Sequence, residues 1–132
     1  MIKNRICWNE NFKLRLASCD DSMMLHDVIK LMVVKKILKK NEKYRNFLRI
    51  YTEFDIMDST MCDIYVENLK TKECFAYEIQ KSVTKKWKEN TLRKYKDWEV
   101  YGFKSSNLVI VPIKDCPNTI QEINKWLDDF IY

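Results

Sequence analysis

The chain has 132 residues, of which 46% are hydrophobic and 33% charged, a composition that suits one folded domain with a core of its own. One glycine, Gly102, and one histidine, His26, exclude glycine-rich phosphate loops, His-rich zinc sites and catalytic histidine pairs. Five cysteines without a CxxC pair disfavour a disulfide framework and a zinc ribbon, so we expect reduced thiols in an intracellular, cytoplasmic protein without a membrane partner. The net charge of +5 favours an anionic partner.

The first half of the chain begins with an N-terminal extension, residues 1–21, in which 5–8 and 12–17 are predicted as two short strands. A helix is predicted over 22–40, because no Gly or Pro interrupts its dense apolar pattern. The polar run Asp20-Asp21-Ser22 supplies capping groups at its start. Apolar residues cover much of its circumference, so we expect it to pack on more than one side.

The rest of the chain alternates between strand and helix patterns. Short links between the next strand candidates predict an antiparallel meander, and a capping box at Thr119 and Glu122 starts the last helix. Its predicted inward face is Ile120, Ile123, Trp126, Leu127 and Phe130. The predicted elements are strands at 45–56, 62–68 and 73–81, a helix over 83–99, a strand at 108–113 and a helix over 119–132.

This order of helix, three strands, helix, strand and helix predicts an α/β fold in which a central mixed sheet is flanked by helices on both faces. We expect a single domain over 1–132, with its core at 22–113 and a C-terminal helix at 119–132.

Acidic side chains on neighbouring strands are the first candidates for chemistry. Alternation along the second strand puts Asp63, Tyr65 and Glu67 on one face, and along the third it puts Ala76, Glu78 and Gln80 on one face, with Phe75, Tyr77 and Ile79 opposite. Carboxylates of Asp63 and Glu78, with Glu53 from the first strand, could hold a hard divalent cation such as Mg²⁺ through oxygen ligands. The alternative is that these acids are ordinary solvated residues at strand ends and exposed strand faces.

A basic segment follows the third strand directly. Residues 81–98 contain seven basic and two acidic residues, so the net charge of the whole chain is concentrated there. Such a helix could hold a phosphate backbone beside the acids, or it could be a solvated lysine-rich face. Its aromatic stripe could stack on bases, although that spacing is more typical of buried contacts. The stripe is Trp87, Thr91, Tyr95 and Trp98, and the candidate phosphate-binding residues are Lys85, Lys86, Lys88, Arg93 and Lys94.

The histidine of the first helix is a further candidate. His26 and Lys30 lie one turn apart and share a helix face. If that face packs beside the acids, His26 could orient a water or contact a phosphate. The alternative is a purely structural histidine.

Together, His26-x3-Lys30, Glu53, Asp63 and Glu78-Ile79-Gln80, in this element order, resemble the PD-(D/E)XK nuclease superfamily. Its restriction-endonuclease-like fold has an αβββαβα core. The pattern is most similar to the competence-protein CoiA-like branch and to small resolvase-like nucleases. The resemblance covers about residues 22–113 and leaves residues 1–21 unexplained.

The resemblance implies that Asp63 and Glu78 bind Mg²⁺ or Mn²⁺ and that Glu53 or an acid near it assists. Gln80 takes the position at which the superfamily usually has a lysine. A glutamine can orient a water molecule but brings no charge. Lys81, Lys85 or Lys30 would then supply the positive charge, with Lys81 the weakest candidate because alternation turns it to the opposite face.

Three functions follow as expectations. The first is a metal-dependent DNA endonuclease acting on branched or duplex DNA, with a homodimer as one way to cut two strands symmetrically. The second is an inactive or weakly active protein of the same fold that binds nucleic acid, and the third is a structural or protein-interaction domain. The lysine and asparagine content and the small size suggest a virus or mobile element as the source.

Overall fold

The computed structural model describes residues 5–9, 12–15, 23–57, 60–95, 99–100 and 103–131. Its strands are β1 (Arg5–Asn9), β2 (Phe12–Arg15), β3 (Leu48–Met57), β4 (Thr60–Asn68), β5 (Glu73–Gln80), β6 (Glu99–Val100) and β7 (Phe103–Pro112). Its α-helices are α1 (Met24–Lys40), α2 (Lys85–Tyr95) and α3 (Ile120–Leu127), and short 3-10 segments lie at Glu42–Phe47 and Ile113–Asp115.

A mixed sheet runs through the middle of the protein in the order β1-β2-β3-β4-β5-β7-β6. Strands β3, β4 and β5 form the antiparallel meander that their short links predict. Strand β7 lies parallel to β5, which requires a crossover connection, and α2 lies within that connection. The parallel pairing makes β5 and β7 end at the same edge of the sheet, because Gln80 pairs with Pro112.

Helices cover both faces of this sheet, as expected for an α/β fold. On one face, α1 and α3 pack against the sheet through an aliphatic core that includes Ile29, Val33, Ile64, Val111 and Leu127. On the other face, Tyr95 of α2 packs on a smaller cluster formed by Cys62, Tyr65, Cys74 and Ala76. The sheet is therefore buried on both sides where the candidate acids lie. No helix within the described ranges combines the length and apolar character needed to cross a membrane.

The described part of α1 agrees with the predicted helix, and it is buried over a broad face while Met24 and Leu25 remain exposed. At the start of α3, Thr119 Oγ1 accepts a hydrogen bond from the Glu122 N–H at 3.2 Å, as the capping box predicts. Ile120, expected on the inward face of α3, is 59% exposed. It lies in the first turn, before the helix reaches the core.

Several predicted boundaries were wrong. Residues 45–47, expected in a strand, belong to a 3-10 segment. Helix α2 ends at Tyr95, and Glu99 begins β6 instead of closing the helix. Strand β7 begins at Phe103, because pairing with β5 and β6 extends the strand through a polar stretch that propensity would leave as a loop. The helix expected to reach 132 ends at Leu127. Asp20, Asp21, Ser22, Trp98 and Gly102 lie outside the described residues.

Candidate functional site

Three carboxyl residues lie in a row across the middle of the meander. The β4–β5 register pairs Ile64 with Tyr77, and continuing it by one residue sets Asp63 opposite Glu78. The β3–β4 register pairs Thr52 with Ile64 and Phe54 with Cys62, so Glu53 faces Asp63 from the other side. Adjacent strands lie about 4.8 Å apart, and the three acids therefore repel one another unless a cation or a proton intervenes.

The backbone at Glu53 interrupts the alternation of β3. Its φ is 49°, which is the left-handed region that non-glycine residues seldom occupy in a strand. Tyr51, two residues before Glu53, and Phe54, directly after it, consequently lie on the same face, where their rings stack with centroids 5.0 Å apart. The Glu53 side chain reaches α1 on the opposite face, where its Oε1 lies 2.5 Å from Lys30 Nζ.

A matching irregularity occurs at Asp63, and here the prediction from alternation was wrong. Asp63 was expected to share a face with Tyr65, but Tyr65 packs on the α2 side while Asp63 Oδ1 lies 3.4 Å from His26 Nε2 of α1. Its other oxygen, Oδ2, accepts a hydrogen bond from the Ile79 N–H at 2.6 Å. The Asp63 carboxylate thus points toward α1 and the backbone of β5.

Glu78 lies where alternation predicts it, on the α2 side of β5 with Ala76, while Tyr77 and Ile79 pack against the α1 side. Its Oε1 accepts a hydrogen bond from the buried Tyr95 hydroxyl. Burial, followed by the charge of Asp63, raises the pKa of Glu78 to about 8. The protonated form of Glu78 is therefore favoured at neutral pH.

His26 and Lys30 face the sheet together, as their spacing predicts. Burial works to lower the pKa of His26, but the hydrogen bond and the charge of Asp63 outweigh it and raise that pKa. The Nδ1 atom of His26 is buried and has no hydrogen-bond partner among the described residues. Lys30 lies deeper, with 1% of its surface exposed.

A cavity of about 560 Å³ opens beside this cluster. Its polar lining includes His26, Asp63, Glu78 and Gln80, all expected at the site. Lys81 also lines it, although alternation was expected to turn this residue away. Lys81 follows the last residue of β5, and strand alternation no longer applies there. The apolar lining is Met23, Leu25, Ile79 and Ile113.

Lys114 lines the same cavity, and sequence reasoning missed it. It lies two residues after the end of β7, in the 3-10 segment Ile113–Asp115, and Lys81 follows the end of β5 directly. Because parallel strands end at the same edge of a sheet, a prediction of the β5–β7 pairing would have brought both lysines to one place. The cavity thus has a carboxyl pair on one side and two lysines at the ends of the adjacent parallel strands.

The basic residues of α2 are exposed, while Thr91 and Tyr95 are buried and Trp87 is half-buried. Thr91 and Tyr95 of the aromatic stripe are therefore turned inward, and Tyr95 contacts Glu78 instead of offering a surface for bases. The exposed basic residues are the five expected to bind phosphate, Lys85, Lys86, Lys88, Arg93 and Lys94.

A divalent cation requires several ligand atoms that lie close together. Among the described residues, no group of three or more His, Cys, Asp or Glu side chains is arranged to hold a metal ion. Asp63 and Glu78 line the same cavity, and two carboxyl groups can be sufficient, because Mg²⁺ is commonly held by one or two carboxylates and keeps several waters. A cation bound there would favour the ionised form of Glu78. No family model, no curated protein and no solved structure matches this chain.

Proposed function

We propose that this protein is a metal-dependent DNA endonuclease in which Asp63 and Glu78 hold Mg²⁺ or Mn²⁺. The observation that supports the proposal best is that Asp63 and Glu78 line one cavity, where burial and the charge of Asp63 raise the pKa of Glu78 to about 8. A buried pair of acids is costly to maintain without a partner cation. Strongly shifted carboxyl groups beside a cavity are typical of functional sites.

The element order also supports this assignment. Helix α1, strands β3, β4 and β5, helix α2, strand β7 and helix α3 follow one another as in the αβββαβα core of restriction-endonuclease-like proteins. We propose that the sheet belongs to this fold and that β1 and β2 are additions to it.

Each residue of the site has a proposed part in phosphodiester hydrolysis. When bound, the divalent cation supplies activation of water and stabilisation of charge on the phosphate. The Ile79 N–H and His26 orient the Asp63 carboxylate, and the Tyr95 hydroxyl orients Glu78. Lys81 and Lys114 lie where they can contact a phosphate in the cavity. Gln80 lines the cavity as well and can orient a water by hydrogen bonding.

The DNA backbone is proposed to lie along the exposed basic residues of α2. Contacts from lysine and arginine to phosphates supply most of the affinity of nonspecific DNA binding and make it steeply dependent on salt. Branched junctions and linear duplexes are both candidate substrates. A homodimer would let two such sites cut opposite strands.

Cleavage of supercoiled plasmid in Mg²⁺ or Mn²⁺ tests the proposal. Asp63→Asn and Glu78→Gln should each lower the rate by about 100-fold or more, as expected when a metal ligand is lost. Glu73→Gln changes an exposed carboxyl of the same strand and should cleave like the parent protein. Equal rates for Glu78→Gln and the parent protein would overturn the proposal, and so would absence of cleavage of plasmid, duplex and junction alike.

A second candidate is a DNA-binding protein of this fold without hydrolytic activity. Gln80 favours it, because the residue carries no charge and its Nε2 donates to the Ser82 carbonyl at 3.3 Å. In that case the protein binds DNA, yet Gln80→Lys and added Mn²⁺ produce no cleavage. A protein-interaction domain, the third candidate, would show no DNA binding at low salt and no response to neutralising Lys85 and Arg93.

A further inference from the structure

A buried ion-pair network joins Glu53 of the carboxyl row to helix α1. Lys30 Nζ is 2.5 Å from Glu53 Oε1 and 3.1 Å from Asp27 Oδ1. The side chain of Lys30 is 1% exposed, and those of Glu53 and Asp27 are 15% and 12% exposed. An ammonium group this deeply buried requires anionic partners, because an unpaired buried charge is strongly destabilising.

Glu53 reaches this lysine only through its unusual backbone. With ordinary strand alternation, its side chain would lie on the α2 side together with Tyr51, away from Lys30. The left-handed conformation, with φ at 49°, is unfavourable for a residue with a side chain, and it brings the carboxylate to the α1 side. Such conformations persist where surrounding contacts stabilise them, and they concentrate at functional sites.

The three carboxylates of the row therefore have different partners. Asp63 accepts a hydrogen bond from the Ile79 N–H, and Glu78 accepts one from the Tyr95 hydroxyl. Glu53 is held by an ammonium group instead. This difference accounts for the finding that three acids on adjacent strands do not form a three-residue metal-binding group within the described ranges.

We propose that Lys30 is a built-in counter-cation that keeps Glu53 from ligating the metal, so that the site takes a single divalent cation on Asp63 and Glu78. This inference rests on the proposed function, because it concerns how the same site binds its metal. Glu53 is then a positioning residue, because its ion pair with Lys30 holds helix α1 against the strands that carry the three acids. Lys30 balances the charge of Glu53 locally.

The consequence is a preference for small cations. Mg²⁺ and Mn²⁺ accept few protein ligands and keep several waters, whereas Ca²⁺ takes six to eight oxygens and gains from each additional carboxylate. Releasing Glu53 from Lys30 would add a third carboxylate at the site. It should strengthen divalent-cation binding in general and Ca²⁺ binding most.

Mn²⁺ binding to the full chain without DNA, followed by calorimetry and electron paramagnetic resonance, provides the test. The parent protein should bind one Mn²⁺, and Lys30→Met should bind it about tenfold more tightly or better, with a larger gain for Ca²⁺. The double variant Lys30→Met/Glu53→Gln removes both charges at once and should return to within about threefold of the parent affinity. Lys36→Met removes the same charge from α1 at its distant ion pair with Asp128 and should leave affinity unchanged.

The outcomes separate this inference from the proposed function. Loss of Mn²⁺ binding in Asp63→Asn would show that the metal site exists. If the Lys30→Met/Glu53→Gln double variant then binds Mn²⁺ tenfold or more weakly than the parent protein, Glu53 is a ligand and the inference is wrong. The inference is also overturned if a folded Lys30→Met protein binds Mn²⁺ no more tightly than the parent protein does. If the parent protein binds no Mn²⁺, the proposed function fails first. The double variant keeps the test decisive should Lys30→Met alone not fold, since replacing a buried ion pair by neutral groups is often tolerated.

Discussion

Replacing Glu78 by glutamine is expected to stabilise the metal-free protein, and more so as the pH rises. The folded-state pKa of Glu78, about 8, lies above its ordinary value of 4.5, so the folded protein holds this proton more tightly than the unfolded chain does. That stabilisation is fully present below pH 4.5 and is lost as the pH rises through 8. Glutamine has the shape of the protonated carboxyl, its oxygen can accept from the Tyr95 hydroxyl as that of Glu78 does, and it does not ionise.

The size of the effect follows from the same pKa. A rise from 4.5 to about 8 corresponds to about 5 kcal/mol when each pKa unit is worth about 1.4 kcal/mol. Contact of the side chain with water in the cavity reduces this figure, and we expect about 2–3 kcal/mol at pH 9. At pH 4.5 and below, the parent protein and Glu78→Gln should differ by about 0.5 kcal/mol or less.

Urea unfolding in a chelating buffer at pH 4.5 and pH 9 measures this difference. The matched control is Glu73→Gln, an exposed position on the same strand, which should change stability by no more than about 0.5 kcal/mol at either pH. Equal stability of Glu78→Gln and the parent protein at pH 9 would refute the reasoning. It would mean that Glu78 ionises without cost and that the carboxyl pair is not strained.

Three further predictions concern the surroundings of the site. Tyr95→Phe removes the hydroxyl whose hydrogen bond lowers the pKa of Glu78, so that pKa should rise further and Mn²⁺ affinity at pH 7, measured by calorimetry, should fall several-fold; unchanged affinity would contradict the contact. Thr119→Ala removes the cap on the Glu122 N–H and should cost about 1 kcal/mol in urea unfolding, whereas no loss would show that the cap contributes nothing. Arg93→Gln should reduce the slope of log affinity for duplex DNA against log salt by about 0.9 if the residue contacts a phosphate, and an unchanged slope would remove it from the interface.

The strand pattern of β5 illustrates what can be predicted from sequence alone. Its alternation is regular, and Phe75, Tyr77 and Ile79 pack toward α1 while Glu78 points to the other side. The sequence spacing of His26 and Lys30 likewise predicts their common face. These predictions succeed because helix and strand periodicity fixes side-chain direction wherever the backbone is regular.

The parts that could not be predicted depend on local departures from regular geometry and on contacts between distant segments. No sequence pattern marks the left-handed backbone at Glu53. None marks the direction of the Asp63 side chain toward His26 either. Lys114 approaches the cavity only because β7 lies beside β5, a pairing between segments about 30 residues apart. The burial of Lys30 also arises from tertiary packing, since a lysine on a helix is usually solvated.

The central claim is that Asp63 and Glu78 form a metal-binding pair, and the most direct test is a crystal soaked in Mn²⁺ and measured at a wavelength where manganese scatters anomalously. We predict one anomalous peak within about 2.3 Å of both carboxylates, a distance typical of small divalent cations on oxygen ligands, and its absence in crystals of Glu78→Gln. A soaked crystal with no peak there, or with manganese bound only elsewhere on the surface, would contradict the claim.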